Sequence, residues 1–333
     1  MSSPIEPALD PLYQAALAEG QPLTVWAGGD AKSQSLAYTA QFEQMFPGIP
    51  ITVTVDLSKY HDAEIDKRLM FGQNVPDVIH IQTVQNFPVW ARNGVLQRYR
   101  PLGVDKVPSA FVDPDGFFAP IGIFQFAPLT DHAQVPDAPA EYQDFLRPDL
   151  KGRIVLTYPH DDDAVLYQFL QIIAQEGWDW FHALLRQDIQ WVRGTQTPSE
   201  VIRAGKAATT FTSYFPLVAP EGSTMKTTIP ERGYFQAWYQ IGGILAKARA
   251  PAAARLYLSY LLTRSHQNPA WTFPVRTDIP AAPGLKAISD YSNASPAGFA
   301  RFMQDRGAIE RWRFIFEGLI GPAEGVNPNV LDM

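Results

Sequence analysis

Leu23 to Gln34 reads LTVWAGGDAKSQ. A β-rich apolar run ends at Gly28-Gly29-Asp30 and passes directly into a helical pattern. The spacing predicts a strand, a tight turn and a helix start. Glycines at such a turn let the backbone take φ > 0 and approach a ligand closely, and the helix start offers unpaired N–H groups. The run contains neither GxGxxG nor GxxxxGK[ST], so it is not a dinucleotide or P-loop fingerprint. Its weight comes from repetition, because the strand–loop–helix plan returns again and again downstream.

Leu9–Glu19 reads as a helix closed by Gly20, and Leu23–Ala27 as the first strand. Ser33–Phe46 is helical, up to the Pro47-Gly48 turn. Ile51–Val55 alternates Thr with Ile and Val, a strand signal. Tyr60–Phe71 is a helix, Asp77–Ile81 a third strand and Pro88–Asn93 a short helix before Gly94. This β-α-β-α-β series argues for a parallel sheet with helices on both faces. Phe117–Phe126 is an apolar extended segment. Arg153–Thr157, Ile189–Val192 and Ala207–Thr212 read as strands, and Val165–Gln175 and Trp178–Arg186 as helices. Thr197-Pro198-Ser199-Glu200 has the form of a capping box with Pro at N1. Tyr234–Lys247 is a long β-like run, followed by helices at Pro251–Thr263 and Phe299–Leu319.

The chain has 333 residues, 46% of them hydrophobic and 12% aromatic. That suits about two well-packed domains. With a net charge of −7 and scattered Lys and Arg, it lacks the footprint of a nucleic-acid binder. Cysteine is absent, which removes thiolate catalysis, Cys-type zinc sites and disulfides. No run of about 18 apolar residues suggests a membrane span. The N-terminus, MSSPIEPALDPLYQAALAEG, has no basic n-region or apolar h-region. Either a signal peptide lies outside this sequence, which would go with a periplasmic or extracellular location, or the protein is cytoplasmic.

Five passages carry a resemblance: ALAEGQPLTVWAGGD (Ala16–Asp30), AQFEQMFPGIPITVTV (Ala40–Val55), VPDVIHIQTVQNFPVWARNGVLQRY (Val75–Tyr99), FLRPDLKGRIVLTYP (Phe145–Pro159) and the run Gly233–Thr263. In order and spacing they resemble the extracellular solute-binding proteins of bacterial ABC importers, of the type II periplasmic-binding fold. The nearest flavour is the ferric-iron and thiamine-like subgroup. The resemblance implies an α/β, two-lobe architecture, each lobe a mainly parallel sheet flanked by helices, with two crossover strands. The extended segments Phe117–Phe126 and Gln240–Leu245 mark the junctions, placing residues 1–119 and 245–333 in a discontinuous first lobe and 120–244 in the second. The resemblance also implies a monomer that is not an enzyme and carries no cofactor. Its partners would be a small polar solute and a membrane ABC permease. The subgroup's iron binders use two adjacent tyrosines where this chain has Tyr214-Phe215, which argues against bare ferric iron as cargo.

Ligands in open α/β sheets sit beyond the carboxyl ends of strands. That rule nominates Gly28, Gly29 and Asp30, then Thr83 and Gln85 beside Gln82. It next nominates His160, Asp161, Asp162 and Asp163. Acids favour helix N-termini, so the Asp triplet reads either as a cap or as a ligand contact. His beside acids lacks the HExxH spacing of a metal site. Arg193 and Thr195 follow a further strand, then Ser213 and Tyr214. Trp238 and Tyr239 could wall the cleft from the return run, or belong to the core. This mix suits a small polar or zwitterionic solute. Two alternatives stand beside the binding protein. One is an enzyme on the same scaffold using His160 with Asp161 or Asp163. The other is a cytosolic ligand sensor. No GxSxG elbow supports the enzyme.

Overall fold

The computed structural model describes residues 6–331. Its strands are β1 (Leu23–Gly28), β2 (Ile51–Asp56), β3 (Val78–Ile81), β4 (Ala119–Phe126), β5 (Leu129–Asp131), β6 (Val155–Thr157), β7 (Gln190–Val192), β8 (Thr209–Thr210), β9 (Met225–Thr227) and β10 (Gln236–Ile244). The helices are α1 (Asp10–Glu19), α2 (Gln34–Met45), α3 (Ser58–Met70), α4 (Asn86–Arg92), α5 (Asp163–Glu176), α6 (Trp178–Leu185), α7 (Thr197–Arg203), α8 (Pro251–Leu261), α9 (Pro296–Phe302), α10 (Arg306–Ile320) and α11 (Pro328–Leu331).

The first lobe is built on a five-stranded sheet in the order β2-β1-β3-β10-β4. In β2 the isoleucine and valines are buried while Thr52 and Thr54 are exposed, as an edge strand with one covered face requires. β3 and β10 are buried throughout, because helices cover both faces at the centre. On one face α2 and α8 bury Phe42, Phe46, Tyr257 and Tyr260 as tilted and edge-to-face rings. The second lobe holds the antiparallel trio β8-β5-β9 and the parallel pair β6-β7, joined through a bridge between Ile154 and Thr209. Its core is a nest of rings around Phe211, including Tyr142, Phe145 and Phe169.

The two-lobe α/β expectation holds, but strand sense is more mixed than the expected mainly parallel sheets. β1 runs parallel to β2 and β3, whereas β10 runs against both β3 and β4. Parallel neighbours need a crossover unit between them, which α2 and α3 supply. β10 instead returns from the other lobe and enters its sheet from the opposite end. β5 is likewise antiparallel to both its neighbours.

In residues 296–320, α9 packs on β10 and α5, and α10 packs on α5 and α6. Phe316 meets Phe169 and Phe181, and Trp312 stacks on Trp178. Arg306 and Arg313 both reach Asp163 at the start of α5. α10 is strongly amphipathic, and its apolar stripe needs a covered face. The bare flank of α5 and α6 supplies one. The chain then returns: Asn329 Nδ2 donates to Asp56 Oδ1 at the end of β2, 2.8 Å away.

Candidate functional site

Strand ends from both lobes meet around a cavity of about 250 Å3. From the first lobe come Gly28, Gly29 and Asp30 after β1, Ser58 and Lys59 after β2, and Gln82 and Thr83 after β3. From the second come Asp161, Asp162 and Asp163 after β6, and Gly194, Thr195 and Gln196 after β7. Phe124, Phe126 and Trp238, on the paired strands β4 and β10, form one wall.

Gly28 and Gly29 are required for space rather than for a left-handed turn. Neither is among the positive-φ glycines. A Cβ on Gly28 would lie 2.2 Å from Ser58 Oγ, and one on Gly29 2.8 Å from Val55 Cγ1. The expected φ > 0 is therefore corrected to close packing of the β1 end on α3 and β2. The carbonyl of Gly28 accepts from Gln240 Nε2 at 3.3 Å.

Three contacts join the lobes across the cavity. The Asp30 carboxylate accepts from both the backbone N–H and the hydroxyl of Thr195. Lys59 Nζ donates to the Asp161 carbonyl at 2.7 Å and to its carboxylate at 3.3 Å. Gln82 Nε2 donates to Asp162 Oδ2 at 3.1 Å.

The Asp triplet divides into three tasks. Asp161 is held by a two-pronged Arg193 at 3.0 and 3.1 Å. Burial works against its charge, but Arg193 and Lys59 outweigh burial and keep the carboxyl below its ordinary range. Asp162 is the α5 N-cap, Oδ1 accepting from the N–H groups of Ala164 and Val165 at 2.8 and 3.0 Å. Asp163 pairs with Arg306 and Arg313. Asp30 and Asp162 have no cationic partner within ion-pair distance among the described residues. Burial and then the charge of Asp30 push Asp162 up to about 6. Burial raises Asp30 as well, against the pull of Thr195. Both acids line the cavity and are partly buried.

The sequence profile of bacterial extracellular solute-binding proteins matches residues 73–270. The chain belongs to that family. No curated protein matches it by sequence. Among solved structures it is similar to the substrate-binding protein of an ABC transporter from Agrobacterium tumefaciens, with 13% identity, a TM-score of 0.70, and 92% of this chain and 96% of that one covered. The periplasmic binding protein AfuA from Actinobacillus pleuropneumoniae gives 17% identity, a TM-score of 0.67 and coverage of 91% and 99%. A periplasmic thiamin-binding protein gives 15% identity, a TM-score of 0.65 and coverage of 90% and 96%. At these identities the likeness is one of fold, the two-lobe periplasmic-binding type.

In this solute-binding protein, ten of the nominated residues line the cavity: Gly28, Gly29, Asp30, Thr83, the three Asp, Thr195, Tyr214 and Trp238. Arg193 and Ser213 stand one layer back. Arg193 braces Asp161, and Ser213 Oγ donates to the Thr195 carbonyl at 2.6 Å. Three nominated residues lie outside the lining. Tyr239 points to the opposite face of β10, against Phe111, because successive strand side chains alternate. His160 turns toward Glu317 and Gly321 at the end of α10 and packs edge-on to Tyr158. Gln85 sits at the N-cap of α4 with a buried Oε1. The helix expected to start at the TPSE run begins one residue earlier than a Thr197 cap would set it. Gln196 is the α7 N-cap, and the Thr197 hydroxyl donates to the Arg193 carbonyl at 2.8 Å. This steadies the loop that carries Thr195.

Sequence reasoning missed Lys59, Tyr38 and Trp271. Lys59 was within reach, since the strand-end rule applies to the β2–α3 loop as much as to the others. Trp271 lies in an irregular segment that no periodicity marks. Tyr214 donates to the Trp271 carbonyl at 3.2 Å, and Phe215 is buried beside it. Among the described residues no group of three or more His, Asp or Glu is placed to hold a metal ion.

Proposed function

We propose that this protein binds a small polar solute between its lobes, closes over it and delivers it to the permease of an ABC importer. The carrying observation is the set of opposed polar pairs across one cavity: Asp30 with Thr195, Lys59 with Asp161 and Gln82 with Asp162. Each pair has one member per lobe, so each can form only when the lobes are together. The solved neighbours named above are a binding protein of an ABC transporter and two periplasmic binding proteins, one carrying fructose-6-phosphate and one binding thiamin. Family membership supports action outside the cytoplasm.

The division of lobes that fits the packing is residues 6–119 with 245–290, against 128–235 with 296–320. Bending falls where β4 and β10 cease to pair, at Ala127-Pro128 and next to Gln236. The direct contacts are the ten lining residues, with at least one of the three Asp touching solute. The protein acts as a monomer and without turnover. In support, both acids of the candidate enzyme set are tied up: Asp161 is held by Arg193 and Asp163 by two arginines, so neither is free to work with His160.

Native mass spectrometry of the purified protein identifies any co-purified solute, and X-ray scattering with and without it reads closure. Compaction with the solute recovered unchanged is the expected result. An unchanged radius, or a chemically altered solute, overturns the reading.

A further inference from the structure

The cationic groups of the cleft and the Thr195 donors are already engaged by the protein's own acids, although the Arg313 Nε–H is buried without a partner among the described residues. The basic lining residues are Lys59 and Arg313, and both are paired with the cleft's own acids. The Thr195 N–H and hydroxyl, well placed to receive an anion, are taken by Asp30. Two carboxylates, Asp30 and Asp162, have no cation within ion-pair distance among the described residues; burial raises both, the charge of Asp30 raises Asp162 further and that of Asp161 raises Asp30, while Lys59 pulls Asp162 down.

The wall behind them is aromatic. Trp238 lies 4.4 Å from Phe126 and 6.0 Å from Phe124, centroid to centroid. The Trp238 Nε1–H is buried and without a partner. Past Tyr38, Phe124, Tyr214 and Trp271, which line both spaces, a second cavity of about 440 Å3 opens. It is lined by amides and hydroxyls, among them Gln41, Gln44, Ser265, Asn268 and Thr272, with no Asp, Glu, Lys or Arg.

We propose that the solute is an organic cation: its ammonium group sits against Asp30 and Asp162, its body lies on the Trp238 wall, and an uncharged polar end reaches the second cavity. A cation offsets the two unpaired acids, and desolvated ammonium groups gain further from aromatic faces. An acceptor oxygen on the solute satisfies Trp238 Nε1. A metal ion fits less well, since a hard cation wants several converging oxygen ligands and among the described residues no group of three or more His, Asp or Glu is placed to hold one. The inference rests on the solute-binding reading and narrows it to a chemical class.

The test is thermal shift, titration calorimetry and scattering on the intact protein. The cationic probes are choline, putrescine and benzyltrimethylammonium. The comparison probes are 3,3-dimethylbutan-1-ol (the neutral isostere of choline), fructose 6-phosphate and Ca2+. At least one organic cation should raise the Tm and compact the protein, and a neutral isostere should not. Asp162→Asn, which keeps the α5 cap, should weaken that cation at least tenfold. The proposal is overturned if none of the three cations binds, if a neutral isostere binds as well as its cation, if Ca2+ alone acts, or if Asp162→Asn binds like the parent. Should fructose 6-phosphate or a co-purified neutral solute compact the protein instead, the solute-binding reading stands and only the cationic class falls. If nothing compacts it and no solute co-purifies, both fall.

Discussion

At the scale of single residues, three consecutive acids that look alike in sequence are chemically different in the fold. Asp161 and Asp163 are ion-paired, while Asp162 is a cap whose carboxyl burial pushes up to about 6. A group raised in the folded state stabilises fully below its unfolded pKa, and that contribution is lost as pH rises through the folded value. Asp162 therefore weakens the ligand-free protein above pH about 6. Asp162→Asn should raise its stability at pH 7.5 by about 1–2 kcal/mol, or about 2–4 °C in Tm, and leave it unchanged near pH 4. Buried histidines act in the opposite sense. Burial pushes His80 down to about 3 and His266 to about 4, so their contribution is present above the unfolded value of about 6.5 and drains away as pH falls. Between about pH 6.5 and 4 the acid and the histidines offset each other, and the parent's stability profile should be shallow there. In Asp162→Asn the decline should begin as soon as pH drops below about 6.5. Denaturant melts across this range check both outcomes, and parallel profiles for parent and variant would count against the assignment.

At the scale of elements, β10 shows what alternation decides. Trp238 faces the cavity and its neighbour Tyr239 faces Phe111. Trp238→Ala should abolish solute binding. Tyr239→Ala should cost about 1–3 kcal/mol of stability and leave the dissociation constant within a few-fold, as calorimetry on the co-purified solute would read. α10 poses the other elemental question. Phe316 is fully buried between Phe169 and Phe181, and Phe316→Ala should cost about 3–4 kcal/mol in urea unfolding. A loss under 1 kcal/mol would mean that α10 is not docked on α5 and α6. These two elements also mark how far the sequence could be read. Strand and helix positions follow from period and punctuation, so β1 to β3 and α5 are visible in the chain, whereas the single helix expected over Phe299–Leu319 is broken into α9 and α10, where the Asp305 carboxylate caps α10 by accepting from the Ala308 N–H. The strand-end rule then finds nine of the cavity residues, because topology alone puts them there. Which face of β10 meets the cavity depends on register with β4, a long-range pairing that no local pattern encodes. Which lobe receives α10 depends on where a bare apolar flank remains once α5 and α6 have packed.

At the scale of the whole molecule, the lobes are tied by more than the β4 and β10 crossovers. After α10, which rests on the second lobe, the tail passes Arg193, whose Nη1 lies 3.5 Å from the Gly325 carbonyl. Pro328 then packs so closely on Gly194, at φ 78°, that a Cβ there would sit 2.6 Å from its ring. Asn329 completes the path on Asp56 of the first lobe. The tail is thus a strap running from one lobe to the other beside Thr195, the residue that grips Asp30. Because its contacts reach both lobes, they favour the closed arrangement over an open one. Two such hydrogen bonds are worth about 1–3 kcal/mol net. Ending the chain at Gly321 should therefore speed solute release by about tenfold or more while leaving urea unfolding of each lobe nearly unchanged. The ligand-free truncated protein should also scatter as a larger particle than the parent. Asn329→Ala, which removes the bond to Asp56, should also speed release without shortening the chain. If release rates and radii match the parent in both variants, the tail only rests on the surface, and closure is held by Asp30, Lys59 and Gln82 alone.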